Sequence, residues 1–193
     1  MSAANKIPFE ARLSGGHPNS LGDTVKVVEE VLKQPKRFKE LFDCYLSDDE
    51  VVRLRTSNAM KRVARENKAL LVPYLDAMLD DISKIPQPSV HWTLPQLFAL
   101  LTEHMSKPQL VSAKKILKKN LATASDWIVL TQTMTTLSDW SESDPALRRW
   151  LKPVLEKLCD DERKSVSSKA QKSLAKVTKG LKKKSRRAAG GLE

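Results

Sequence analysis

The sequence predicts an all-α fold: an α-solenoid of about four to five stacked helical hairpins. Three observations predict it. Apolar residues recur at i, i+3, i+4 and i+7 in one segment after another. Nothing alternates with a period of two over the length of a strand. The stretch LVPYLDAMLDD at Leu71–Asp81 is echoed by LKPVLEKLCDD at Leu151–Asp161, so the hairpins read as copies of one unit.

The leader through Ser20 is rich in Ala, Ser, Gly, Asn and Pro without periodicity, so residues 1–20 are expected to be an irregular arm. The repeat domain is expected over 21–178. Its first pair uses Val25, Val28, Val31 and Leu32, then Phe38, Leu41, Phe42 and Tyr45, separated by Gln34-Pro35. The second uses Val52, Thr56, Ala59 and Val63, then Leu71, Tyr74, Leu75, Met78, Leu79 and Ile82. Val90, Leu94, Leu97, Phe98 and Leu101, then Leu110, Ala113, Leu117 and Leu121, make the third. Trp127, Leu130, Met134 and Leu137, then Leu147, Trp150, Leu151, Val154, Leu155 and Leu158, make the fourth. A last stripe, Val166, Ala170, Leu174, Val177 and Leu181, runs into lysines.

A second echo sets the period. Ser57–Lys61 recurs as Ser168–Lys172, each downstream of an Asp-Asp-Glu, at Asp48–Glu50 and Asp160–Glu162. Offsets of 80 and 111 between the two pairs of echoes correspond to two and three units of about 37–40 residues, in the range of helical-hairpin repeats. The double Asp is expected to cap the next helix by accepting from its orphan amides. Pro73 and Pro153 are expected to open or kink the second helix of a pair. The run DDEVVRLRTSNAMKRVARENKALLVPYLDAML, with its acidic turn, Val52-Arg53 pair, helical Ala59 and Pro-containing second helix, resembles a HEAT repeat of the HEAT/armadillo-like family. The resemblance is good over 48–82 and partial over 144–178. It implies an armadillo-type superhelix whose second helices line a concave binding surface.

The formal charge of +11 is unevenly placed. Residues 1–162 carry 23 basic and 22 acidic side chains, whereas 163–193 carry 11 and 1. A basic flexible tail is expected over 179–193. Its Lys182, Lys183, Lys184, Arg186 and Arg187 are polyanion candidates. A second candidate is the helix bearing Lys114, Lys115, Lys118 and Lys119, which share an arc of about 140°, with Lys107 just before them and no acid between Glu103 and Asp126. It reads either as a phosphate-binding face or as an ordinary solvated one.

Candidates for chemistry are few. Asp126-Trp127 and Asp139-Trp140 bracket one helix. The HEAT-like DNA glycosylases that excise alkylated purines are similar in fold, and this more distant resemblance implies a role for Asp126 and Asp139 beside a cationic base, with Trp127 and Trp140 on the DNA. The competing reading makes Asp126 a helix cap and Trp127 a core residue, and no catalytic residue is assigned. His17, His91 and His104 are too dispersed for a zinc set, and no glycine-rich phosphate loop joins a strand to a helix. No metal and no cofactor are expected. Cys44 and Cys159 read as buried thiols. With no apolar run of membrane-spanning length and no apolar leader at the start, the chain is expected to be cytoplasmic. The leading expectation is a non-enzymatic scaffold for a protein partner. The alternative is a nucleic-acid-binding protein of the HEAT-like repair type.

Overall fold

The computed structural model describes residues 7–17 and 19–189, with side chains through residue 179. Among these residues every regular element is helical. The chain divides into two compact units, Met1–Ala113 and Lys114–Glu193.

The first unit contains α1 (Phe9–Leu13), α2 (Thr24–Lys33), α3 (Phe38–Asp43), α4 (Glu50–Glu66), α5 (Leu75–Asp80) and α6 (Pro88–Leu101), and the start of α7 (Lys107–Thr123). Helix α4 is its centre. Val52, Ala59, Met60 and Val63 lie on the stripe of α4 that is fully withdrawn from solvent, and α4 packs against α2 and α6. Its start is fixed as the double Asp predicts: the Asp49 carboxylate accepts from the Val51 amide at 2.7 Å. Arg53, of the Val-Arg pair, then donates to the Ser47 carbonyl and to Gln87 Oε1, tying the start of α4 to the turn before α6. The helix expected over 71–82 is broken into 3-10 turns at Val72–Tyr74 and Ile82–Lys84 flanking the short α5. Pro73 opens it, because proline suits the first turn of a helix and cannot donate to the turn before.

The irregular arm expected over 1–20 is corrected at Phe9–Leu13, which is helical with both end residues fully buried. Phe9 is the reason. Its ring lies under the Arg37 guanidinium at 3.8 Å, and its amide donates to Glu40 Oε1. Arg12 is held between Asp23 and Glu30, at 2.6 Å each, and Arg37 bridges Glu30 and Glu40. The segment that follows wraps Arg55 of α4. Its guanidinium donates to the carbonyls of Leu13, Ser14, Gly15, His17 and Ser20, at 2.6 to 3.3 Å. Gly22, at φ +51°, passes so close that a Cβ there would meet Arg55 Cζ at 2.8 Å.

The second unit contains the rest of α7 with α8 (Trp127–Trp140), α9 (Pro145–Leu158) and α10 (Lys164–Ala189). Helix α10 packs against α8 and α9, burying Val166, Ala170, Ser173 and Val177. Asp126 and Asp144 cap α8 and α9 by accepting two amides each. Pro153 stands inside α9, which Asp144 and Pro145 have already started. Arg148 donates to the carbonyls of Ser141 and Glu142, closing the turn after α8. The backbone of α10 remains helical to Ala189, past the expected tail boundary at 178, since Lys, Arg and Ala are good helix formers.

Candidate functional site

The two Asp-Trp pairs are not brought together. They occupy opposite ends of α8, about 20 Å apart at 1.5 Å per residue, so one base cannot lie between them. Asp126 Oδ1 accepts from the amides of Ile128 and Val129 at 2.8 and 3.0 Å. Its lone pairs are committed to the helix start. Asp139 is bound to Lys176 Nζ at 2.5 Å, and Glu142 joins the same ammonium at 2.8 Å. The hydrogen bonds that Lys176 donates to Asp139 and then to Glu142 raise its pKa. Trp140 is buried, whereas Trp127 is 49% exposed, correcting its reading as a core residue. A tryptophan just after an N-cap needs only one edge against its helix, and the rest of the indole faces water.

The thiols are quiet. Burial pushes Cys44 up to about 12, and its Sγ donates to the Glu40 carbonyl. Cys159, half-buried rather than buried, is also raised, first by burial and then by Asp160 and Glu156. A thiol held in its protonated form is a poor nucleophile and a poor metal ligand. Among the described residues no group of three or more His, Cys, Asp or Glu could hold a metal ion, and no helix is long and apolar enough to cross a membrane.

The expected basic face on α7 is divided by its contacts. Lys114 Nζ is paired with Asp144 Oδ2 at 2.8 Å, and Lys118 Nζ stands over the Trp150 ring at 4.6 Å. These two serve the fold of the second unit. Lys115 and Lys119 are exposed. Lys107, in the first unit, is also exposed. The candidates Lys182, Lys183, Lys184, Arg186 and Arg187 lie outside the described side chains.

A larger basic face lies on α10, before that tail. Lys164, Lys172, Lys176 and Lys179 are exposed and Lys169 is half-buried, on a helix whose 26 residues include no Asp or Glu. The signal was in the sequence: an acid-free stretch in which lysines and apolar residues keep separate helical phases. In the first unit a smaller cluster ends α4. Burial first, then Arg65 and Arg62, lowers the pKa of Lys61, and Arg62 is steadied by Asn58. Compared with known proteins, the chain matches no family model, no curated protein and no solved structure.

Proposed function

We propose that this chain is a non-enzymatic helical-repeat scaffold, an α-solenoid of the HEAT-like kind, that binds a protein partner. The reading is supported by one layering. The first helices of successive hairpins touch one another: α2 meets α4, α4 meets α6, and α8 meets α10. Contacts of this kind bury a repeat against its neighbours and leave the outer helix faces for recognition. Side chains capable of chemistry are spent on the same task, as the capping by Asp126 and the pairing of Asp139 illustrate. In the first unit Leu21, just before α2, and Val25, in its first turn, are each 40% exposed, and we take them as an apolar spot for a partner. The test is affinity purification of the tagged full chain beside Leu21→Asp/Val25→Asp, with melting curves to show that the variant folds. A specific protein retained by the parent chain and lost from the variant is the expected result; identical retained sets would overturn the assignment of that spot.

A second reading, binding of nucleic acid, is favoured by a different observation. Lys164, Lys172, Lys176 and Lys179 meet solvent on a helix that contains no acidic residue, the arrangement by which a protein releases counterions from a phosphate backbone. Its test is retention of a labelled nucleic acid by the full chain, lost as salt rises.

A further inference from the structure

We propose that the solvent face of α10 is a docking surface for duplex nucleic acid, read through its phosphates. This rests on the nucleic-acid reading and names the form of the polymer. At about 100° per residue, Lys164, Lys169, Lys172, Lys176 and Lys179 fall within an arc of about 140°. Val166, Ala170, Ser173 and Val177, all at most 5% exposed, fall in a separate arc of about 60°. The five lysines extend over about 22 Å of helix axis, in steps of about 4.5 to 7.5 Å.

Three kinds of anionic surface could meet a basic amphipathic helix, and burial and composition discriminate among them. A membrane interface is held by the apolar face of such a helix, but here Val166, Ala170 and Val177 are consumed by packing on α8 and α9. A single strand is held by stacking bases on aromatic rings, and residues 164–189 contain no Phe, Trp or Tyr. What remains is attraction to charge alone, which favours the densest line of phosphates. A duplex carries one charge per about 1.7 Å of axis, against about 3.4 Å along one of its strands.

The face also has a restrained member. Lys176 lies toward one edge of the arc, and Asp139 and Glu142 hold its ammonium. A phosphate reaching that position must displace two carboxylates and tolerate their charge. Lys172 and Lys179, on either side along the helix, are exposed. In the sequence the five cations between Lys182 and Arg187 follow directly, so the full chain has more charge to offer than the described face alone.

The experiment is fluorescence anisotropy on the full chain, with a DNA duplex of about 20 base pairs, a single strand of the same length, and salt varied from about 50 to 200 mM. Vesicles of phosphatidylcholine with about one-third phosphatidylserine compete in parallel. The duplex is expected to bind at least about 5-fold tighter than the single strand. Lys172→Glu/Lys179→Glu is expected to weaken duplex binding at least about 10-fold and make the salt slope shallower by about two, with unchanged melting. The milder Lys172→Gln/Lys179→Gln keeps the same direction should the charge reversal disturb folding. Asp139→Asn/Glu142→Gln is expected to tighten the duplex a few-fold by freeing Lys176. Absence of binding to either nucleic acid at the lowest salt defeats the nucleic-acid reading itself. Equal or tighter binding of the single strand leaves that reading standing and overturns the duplex inference. Duplex binding unmoved by both lysine variants overturns the assignment to α10, and displacement by vesicles with higher affinity than the duplex replaces nucleic acid by an anionic membrane.

Discussion

Two buried arginines, one in each unit, use the same chemistry at different reach. Arg55 and Arg148 are 3% and 4% exposed, and both donate to main-chain carbonyls. Arg148 closes a turn six or seven residues away. Arg55 gathers carbonyls 35 to 42 residues away in sequence. A guanidinium suits both tasks because it presents five donors in a planar fork and keeps its charge. The difference lies in what each holds. Arg148 completes a turn whose ends are already fixed by α8 and α9, whereas Arg55 organises a segment with little core of its own beyond Phe9 and Leu13. The first is a local cap; the second turns a leader into part of the unit.

The longer reach of Arg55 sets the order of the expected losses. Arg55→Ala should have the largest effect, a loss of about 3 to 5 kcal/mol, because it strands several polar groups and creates a void. Hydrogen exchange should then quicken across Phe9–Leu13 as well as at the Arg55 site. Arg55→Lys should recover little, since an ammonium has three donors and no fork. If amide protection of Phe9–Leu13 survives Arg55→Ala, the ion pairs of Arg12 and Arg37 hold the segment and the clasp is incidental. Gly22→Ala approaches the same clasp from the other side. A side chain at positive φ, with its Cβ pressed on the guanidinium carbon, should cost about 2 kcal/mol, measured by chemical denaturation. Arg148→Ala should follow, at about 1.5 to 3 kcal/mol, with faster exchange confined to the turn between α8 and α9. Loss of protection throughout the second unit would remove the distinction between cap and clasp.

The sequence made most helices legible and one of these arginines almost so. Apolar phase located α2, α4, α6, α8 and α9 within a few residues, because each buries one stripe. The same phase contains a further signal. Arg55 falls three positions after Val52 on the buried stripe of α4, and Arg148 falls three before Leu151 on that of α9. A charged residue at a core position announces a buried partner, but it does not say which, and for Arg55 the partners are backbone atoms of a segment without periodicity. Phe9 and Leu13, an i, i+4 pair, were the remaining hint, and a single apolar pair is too short to define a helix. The basic surface was half-legible for a related reason. Counting lysines found α7 and the tail, but only the Asp144 and Trp150 contacts distinguish the α7 lysines that serve the fold from those that face water.

The smallest effect belongs to a second local cap, on α9. Asp144 caps α9 through the Ala146 and Leu147 amides and pairs with Lys114. Its pKa is lowered, first by the Leu147 amide and then by Lys114. Because the folded value lies below the unfolded one, its stabilisation is complete above the unfolded pKa, about 4, and is lost as pH falls through the folded value. Asp144→Ala should cost about 1 kcal/mol at neutral pH. Asp144→Asn should cost less, since an amide oxygen still caps while the charge is gone. The stability difference between the parent chain and Asp144→Asn should therefore shrink as pH is lowered from about 6 toward 2, followed by urea denaturation at each pH. A difference that stays constant would mean that the Asp144 charge contributes nothing, either toward the Leu147 amide or toward Lys114, leaving Asp144, like Arg148, a purely local cap.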